Sequence, residues 1–131
     1  MDSAGEMIKS FEELTVWQKG HKLTLDIYKI TKSFPKEETF GIISQIRRSS
    51  FSVPANIAEG SSRSHTKELI QMLFVALGSL SETKYYLLLS RDLDYVKDDI
   101  YKQLCKDADE LARMIHGLIN SLKKRKTIYE K

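Results

Sequence analysis

The stretch that decides the fold spans residues 45–63 and reads QIRRSSFSVPANIAEGSSR. At about 100° per residue, its side chains separate onto two faces of a helix. The polar face carries Gln45, Arg48, Ser49, Ser52, Asn56, Glu59 and Arg63, and the apolar face carries Ile46, Phe51, Val53, Ile57 and Ala58. This division predicts a helix that packs on one side and faces water or a polar partner on the other.

Pro54 lies inside this helical pattern. A proline there lacks an N–H, leaves the carbonyl of Ser50 without its helical donor, and costs about 3 kcal/mol. We expect a kink, tolerated because Ser49, Ser50 and Ser52 are small enough to let another helix or a water reach that carbonyl. The alternative is that Pro54 ends the helix at Val53.

Two charged side chains fall on apolar helical faces. Arg47 projects into the apolar face of the 45–63 stretch, and an unpaired buried charge costs several kcal/mol, so it should meet a carboxylate or carbonyl groups. Glu82 points away from the seam of a later helix, and we expect it to bind Arg47 or Arg48, within or between subunits. The alternative for Glu82 is simple exposure to water.

The composition indicates one helical domain. The chain has 131 residues, of which 41% are hydrophobic, 30% are charged and two are proline, and this fits a compact helical protein. We expect a cytoplasmic protein without membrane association, because no secretion signal and no apolar run long enough to span a bilayer is present. Cys105 is the single cysteine, which excludes a disulfide framework, and the net charge of +3 permits nucleic-acid contact without arguing for it.

Hydrophobic periodicity predicts four helices, at about residues 16–33, 37–60, 65–92 and 98–123, between a flexible leader (1–10) and a basic tail (124–131). The predicted caps are a Thr15–Gln18 capping box for the first helix and Ser64 for the third. The aspartates around the turn before the fourth helix can cap that helix and complement its dipole, namely Asp92, Asp94, Asp98 and Asp99. Because the connections are short, the expected fold is all-α, an antiparallel up-down-up-down four-helix bundle.

The third predicted helix is apolar nearly all round. Its bundle seam is Leu69, Leu73, Ala76, Leu80, Thr83 and Leu87, and its opposite side carries Phe74, Val75, Gly78, Tyr85, Tyr86 and Leu89. A helix of this kind needs cover on more than one side, so this opposite side predicts a homo-oligomer interface. Glycines inside helical patterns, at Gly20, Gly41, Gly78 and Gly117, cost about 1 kcal/mol each and suggest close helix–helix approach.

The residues suggest no catalytic site. His21, His65 and His116 lie on three different predicted elements, and none belongs to a metal-ligand pair, so we expect no metal and no cofactor. No strand-borne phosphate loop can be placed, and the serines near Glu59 lack a nameable base and oxyanion site. We therefore expect a protein that is not an enzyme, with the serine cluster serving helix packing around Pro54.

Five segments resemble a known family: residues 11–18 (FxxLxVWQ), 34–38 (FPxxE), 40–48 (FGxxxQIRR), 52–60 (SVPANIAEG) and 76–82 (ALGSLSE). They are similar to the four-helix-bundle proteins encoded by intervening sequences in bacterial large-subunit (23S) ribosomal RNA genes, and the match covers roughly residues 11–122. The resemblance implies a ring-like homo-oligomer, a pentamer, with no enzymatic activity. It also extends to the accessory protein of diversity-generating retroelements, a basic bundle thought to engage nucleic acid and a reverse transcriptase.

Two functional hypotheses follow. In the first, the oligomer binds RNA or DNA through phosphate contacts made by Arg48, Arg63, Lys67, Lys123, Lys124, Arg125 and Lys126. Basic helix ends also complement the helix dipole, which is the plainer explanation of the same residues. In the second, the bundle is a protein-interaction scaffold that docks a partner protein without nucleic acid.

Overall fold

A computed structural model describes the backbone of residues 10–129 and the side chains of residues 10–125. The α-helices are α1 (Thr15–Thr31), α2 (Ser44–Ser61), α3 (Thr66–Asp92) and α4 (Asp98–Tyr129). Short 3₁₀ turns cover Phe11–Glu13 and Lys36–Glu38, and one π-helical turn covers Thr39–Ile43. The described part contains no strand. The leader predicted over residues 1–10 lies outside the described residues except for Ser10, which caps the first 3₁₀ turn.

Contacts between neighbouring helices run in opposite directions along the chain. They pair Gly20 with Pro54 and Thr31 with Arg47 across α1 and α2, Ser49 with Thr83 and Ser52 with Ser79 across α2 and α3, and Lys84 with Asp109 and Phe74 with Lys123 across α3 and α4. The predicted all-α, antiparallel four-helix bundle is therefore confirmed. Its core is built from apolar side chains of all four helices, among them Ile27, Ile46, Ile57, Leu73, Leu80, Leu87, Leu111 and Ile115.

The helix continues through Pro54 to Ser61, so the alternative in which it ends at Val53 is wrong. The buried hydroxyl of Thr24 on α1 lies 3.0 Å from the Ser50 carbonyl oxygen and 3.0 Å from the Gly20 carbonyl oxygen. Its hydrogen is shared between these two acceptors. A neighbouring helix thus satisfies the carbonyl that Pro54 leaves open, as expected. Gly20 lies beside this contact, where a Cβ built on it would be in ordinary van der Waals contact with the Pro54 ring at 3.6 Å.

The start of the second helix differs from the prediction. Gly41 was expected inside a regular helix, but its φ of −104° and ψ of −118° are non-helical. A Cβ at Gly41 would lie 2.5 Å from Oε1 of Glu38, so the absence of a side chain lets that carboxylate fold back. Glu38 accepts hydrogen bonds from the Ile42 N–H (3.4 Å) and the Tyr95 hydroxyl (2.8 Å). The break in the helix is therefore fixed by Glu38, which ties it to the α3–α4 connection.

Two predicted caps are wrong. Leu14 precedes α1 without a side-chain cap bond, and Gln18 donates instead to the Glu12 carbonyl at 2.9 Å, because the 3₁₀ turn brings that carbonyl within reach. His65, not Ser64, precedes α3, and again no side chain caps the helix. Asp98 and Asp99 do occupy the first turn of α4, where the helix dipole favours carboxylates.

The last helix is longer than predicted. Its helical backbone continues to Tyr129, whereas the pattern placed its end near residue 123 and a separate basic tail over residues 124–131. The basic residues 123–126 therefore lie on the helix itself, about one turn before its end, which fixes their spacing.

In the connection between α3 and α4, Asp94 adopts a positive φ of 63°.

Candidate nucleic-acid interface

Glu82 binds Arg48 within the same chain. Nη2 of Arg48 lies 2.5 Å from Oε2 of Glu82, and Gln45 adds its amide oxygen at 3.2 Å. The Tyr86 hydroxyl also donates to Glu82, and burial together with this bond raises the pKa of Tyr86. The predicted ion pair is confirmed for Arg48 and not for Arg47. Its consequence is functional, since an arginine already paired with a carboxylate is less available to a phosphate.

Arg47 meets an uncharged set of groups. Its Nε donates to the Thr31 hydroxyl at 2.8 Å, its Nη2 donates to the Tyr28 carbonyl at 3.4 Å, and its guanidinium lies 4.5 Å from the centre of the Tyr28 ring. The expected carbonyl partner is present, with a hydroxyl and an aromatic face in place of a carboxylate. Arg47 thus joins α2 to the last turn of α1 and has a structural role.

Hydroxyl groups line the contact between α2 and α3. Ser49 and Thr83 share a buried hydrogen bond of 2.8 Å, and Ser52 bonds Ser79 at 2.9 Å. Asn56 donates to the Ser52 carbonyl at 2.7 Å and closes the network. The serines of the 45–63 stretch therefore lie in helix contacts, in agreement with the packing role that their pattern suggested.

The remaining basic candidates gather at one end of the bundle, where α2 ends, α3 begins and α4 runs out. Arg63 pairs with Glu59 at 2.5 Å and lies 3.9 Å from Glu68. Lys123 places its ammonium 5.3 Å from the centre of the Phe74 ring on α3. Exposed side chains without an ion pair to any described carboxylate are Lys67, Lys124 and Arg125. The side chain of Lys126 lies outside the described residues.

The outer side of α3 is apolar and open. The exposed fractions are 45% for Phe74, 50% for Val75 and 56% for Tyr85. Gly78 lies between them, and a Cβ built there would meet nothing within 4 Å. The other two predicted interface residues, Tyr86 and Leu89, are half-buried. We call these residues the α3 outer face.

Sequence patterns missed three residues that lie on the surface. Lys106 and Arg113 are exposed on α4, seven residues apart and thus on one side of that helix, a spacing that could have identified them. Phe40 is 94% exposed on the π-helical turn. A helical pattern that continued through Gly41 gave no reason to place Phe40 on the surface.

The described residues offer little for catalysis. No group of three potential metal ligands occurs among them. Cys105 is half-buried, and burial raises the pKa of its thiol, which disfavours the nucleophilic thiolate. Within the same residues, no helix combines the length and apolarity needed to cross a bilayer.

Comparison with known proteins identifies the family of this chain. Residues 12–117 match the sequence model of a family described as 23S rRNA-intervening sequence protein. The chain belongs to this family. A crystal structure of a protein of unknown function from the S23 ribosomal protein family of Bacteroides thetaiotaomicron superposes with a TM-score of 0.74 and 27% identity, covering 80% of this chain and 95% of that one. No protein among the curated sequences compared matches the chain.

Proposed function

We propose that the protein is a non-catalytic homo-oligomer of the bundle that binds RNA or DNA through phosphate contacts. The observation that carries this proposal is the collection of exposed basic side chains at one end, namely Lys67, Lys123, Lys124 and Arg125. Arg48 and Arg63 are left out of the proposed set because Glu82 and Glu59 already pair with them. Such contacts would position the nucleic acid without reading its sequence.

The helix dipole does not explain this charge distribution by itself. Lys123 and Arg125 lie close to the C-terminal end of α4, where the helix dipole favours positively charged side chains. Lys67, however, lies in the first turn of α3, where the dipole disfavours a cation. A polyanion that contacts both helix ends accounts for Lys67 as well as for Lys124 and Arg125.

The α3 outer face supports the oligomeric part of the proposal. Phe74, Val75 and Tyr85 expose about half of their surface in a single chain. Since full burial of such a side chain contributes roughly 1.5–3 kcal/mol, covering the exposed half would contribute about half of that for each. A second copy of the chain packed around Gly78 would cover them. The ring-like pentamer that the family resemblance implies and a cytoplasmic location belong to the same proposal.

A protein-interaction scaffold is the second candidate, and Phe40 favours it. This phenylalanine is 94% exposed and lies on the π-helical turn before α2, at the opposite end of the bundle from the basic cluster. Insertion into a pocket of a partner protein would bury it. Capture of one protein in fixed stoichiometry after nuclease treatment, abolished by Phe40→Ser, would favour this candidate over nucleic-acid binding.

The decisive experiment is a salt titration of binding to short RNA and DNA duplexes. Binding through phosphates gives a linear fall of log K with log salt. The double variant Lys67→Glu with Lys124→Glu should abolish binding. The control variant, Lys32→Glu with Lys97→Glu, changes exposed lysines at the other end of the bundle and should keep a measurable affinity. Absence of salt-dependent binding by the unmodified protein would refute the proposal.

A further inference from the structure

The outer surface of α4 carries a row of exposed basic and polar residues with a glycine in the middle. The row consists of Lys106, Arg113, Gly117, Asn120 and Lys124, and we call it the α4 track. Its spacings of seven, four, three and four residues place every member on the same side of one helix. From Lys106 to Lys124 the track extends about 27 Å along the helix axis, at 1.5 Å per residue.

Two carboxylates beside the track, those of Asp109 and Glu110, are bound by lysines of other helices. Asp109, on the side towards α3, bonds Lys84 at 2.5 Å, and this bond raises the pKa of Lys84. Glu110, on the side towards α1, lies 3.1 Å from the Lys19 ammonium. The bond to Lys19 is also the main cause of the lowered pKa of the Glu110 carboxyl. Both acids therefore bring their own cations.

The track cations themselves have no such partner. Lys106 and Arg113 contribute to the lowered pKa of Glu110 through space, but neither lies within 4 Å of a carboxylate among the described side chains, and the same holds for Lys124. These three cations face the solvent, whereas the neighbouring carboxylates of Asp109 and Glu110 are paired with Lys84 and Lys19.

Gly117 packs against none of the described side chains. A Cβ built on it would meet nothing within 4 Å, whereas one built on Gly60 would lie 2.8 Å from the Cβ of Met72. A glycine in a helix interior costs about 1 kcal/mol relative to alanine. A glycine that its own fold does not require suits a place where another molecule approaches the helix backbone closely.

We propose that the phosphodiester backbone of a nucleic acid lies along the α4 track, with Lys106, Arg113 and Lys124 on phosphates and Gly117 as the point of closest approach. This inference rests on the proposed function and names the path of its ligand beyond the basic end. Over about 27 Å a duplex presents on the order of 16 phosphates, so three cations can find partners without distorting it. Asn120 can add a neutral hydrogen bond to a phosphate oxygen.

The first test removes two track charges. The variant Lys106→Gln with Arg113→Gln should lower the slope of log K against log salt by about 1.8, and its affinity for a DNA duplex at 0.1 M salt should fall about 60-fold, because each lost phosphate contact contributes about 0.9 to the slope. The control, Lys32→Gln with Lys36→Gln, removes the same charge from an exposed site near the α1–α2 connection. Equal losses in both variants would overturn the track.

The second test fills the glycine. Gly117→Gln should weaken binding about eightfold or more, equivalent to one phosphate contact, without reducing the solution mass or thermal stability, since glutamine is the better helix former. Ala55→Gln adds the same side chain to an exposed position on α2 and should leave affinity unchanged. A Gly117→Gln protein of lower mass would assign the glycine to a contact between copies and overturn the proposal.

The two proposals fail in different ways. If the unmodified protein shows no salt-dependent affinity for RNA or DNA duplexes, the proposed function fails and the track fails with it. If the unmodified protein binds but both α4 variants bind equally well, only the track is wrong. The same measurements with an RNA duplex show which nucleic acid the unmodified protein binds. Loss of affinity for that nucleic acid in both α4 variants supports the track.

Discussion

Removing the Thr24 hydroxyl should destabilise the protein through the Ser50 carbonyl. Ser50 is 1% exposed, and Pro54 deprives its carbonyl oxygen of the usual helical donor. The hydroxyl of Thr24 at 3.0 Å replaces that donor. Thr24→Val keeps a similar shape and leaves a buried acceptor unsatisfied, so it should cost about 1–3 kcal/mol.

A double-mutant cycle isolates this contact. Pro54→Ala restores an N–H four residues after Ser50, and that N–H can donate to its carbonyl. Thr24→Val should therefore cost less in the Pro54→Ala background, with a coupling free energy of about 1–2 kcal/mol. Thr15→Val is the matched control, because Thr15 is exposed at the start of α1, and it should change stability by less than about 0.5 kcal/mol.

Urea unfolding followed by circular dichroism measures the four free energies of unfolding. All four proteins must be compared at one concentration, since self-association would make stability depend on it. A cost of about 2 kcal/mol shifts the unfolding midpoint by roughly 1 M urea at the m-values usual for small domains. If Thr24→Val costs the same with and without Pro54, the hydroxyl does not replace the missing donor and the reasoning is refuted.

Three further outcomes are expected. Gly41→Ala should lower the free energy of unfolding by about 1–2 kcal/mol, because its Cβ would displace Glu38 from two hydrogen bonds, and an unchanged melting temperature would contradict this. The hydrogen bond to Glu38 raises the pKa of Tyr95, so the stabilisation that this bond gives the fold is complete below about pH 10 and is lost as pH rises through the folded pKa. Ultraviolet titration should show a lower Tyr95 pKa in the Glu38→Gln variant. Glu82→Ala should cost less than about 1 kcal/mol in a melt, because its ion pair with Arg48 is partly exposed, and a larger loss would be unexpected.

Hydrophobic periodicity predicts the bundle because the apolar residues that repeat at helical spacing are the ones that the helices bury. The stripes through Ile27, Val53, Leu80 and Ile115 are spaced as core positions, and all four residues are buried. The break at Gly41 could not be predicted this way, because the apolar spacing continues across it. It depends on the Glu38 carboxylate, which folds back, and on Tyr95, which lies 57 residues after Glu38. Long-range polar contacts of this kind leave no periodic signal.

The candidate interface shows a similar division. The basic character of Lys67 and of the end of α4 is visible in the sequence, but the neutralisation of Arg48 by Glu82 requires two helices to pack. Conversely, Lys106 and Arg113 are obscured by neighbouring acids such as Asp109, which a lysine of another helix neutralises. Net charge along the chain therefore differs from the charge that a ligand meets.

The solution mass of the purified, nuclease-treated protein tests the central claim most directly, because the proposed function depends on copies of the chain covering the α3 outer face. At micromolar concentration we expect a multiple of 15.1 kDa, and Phe74→Glu with Tyr85→Glu should reduce this mass while the protein stays folded. A mass of 15.1 kDa for the unmodified protein would exclude a homo-oligomer built on this face.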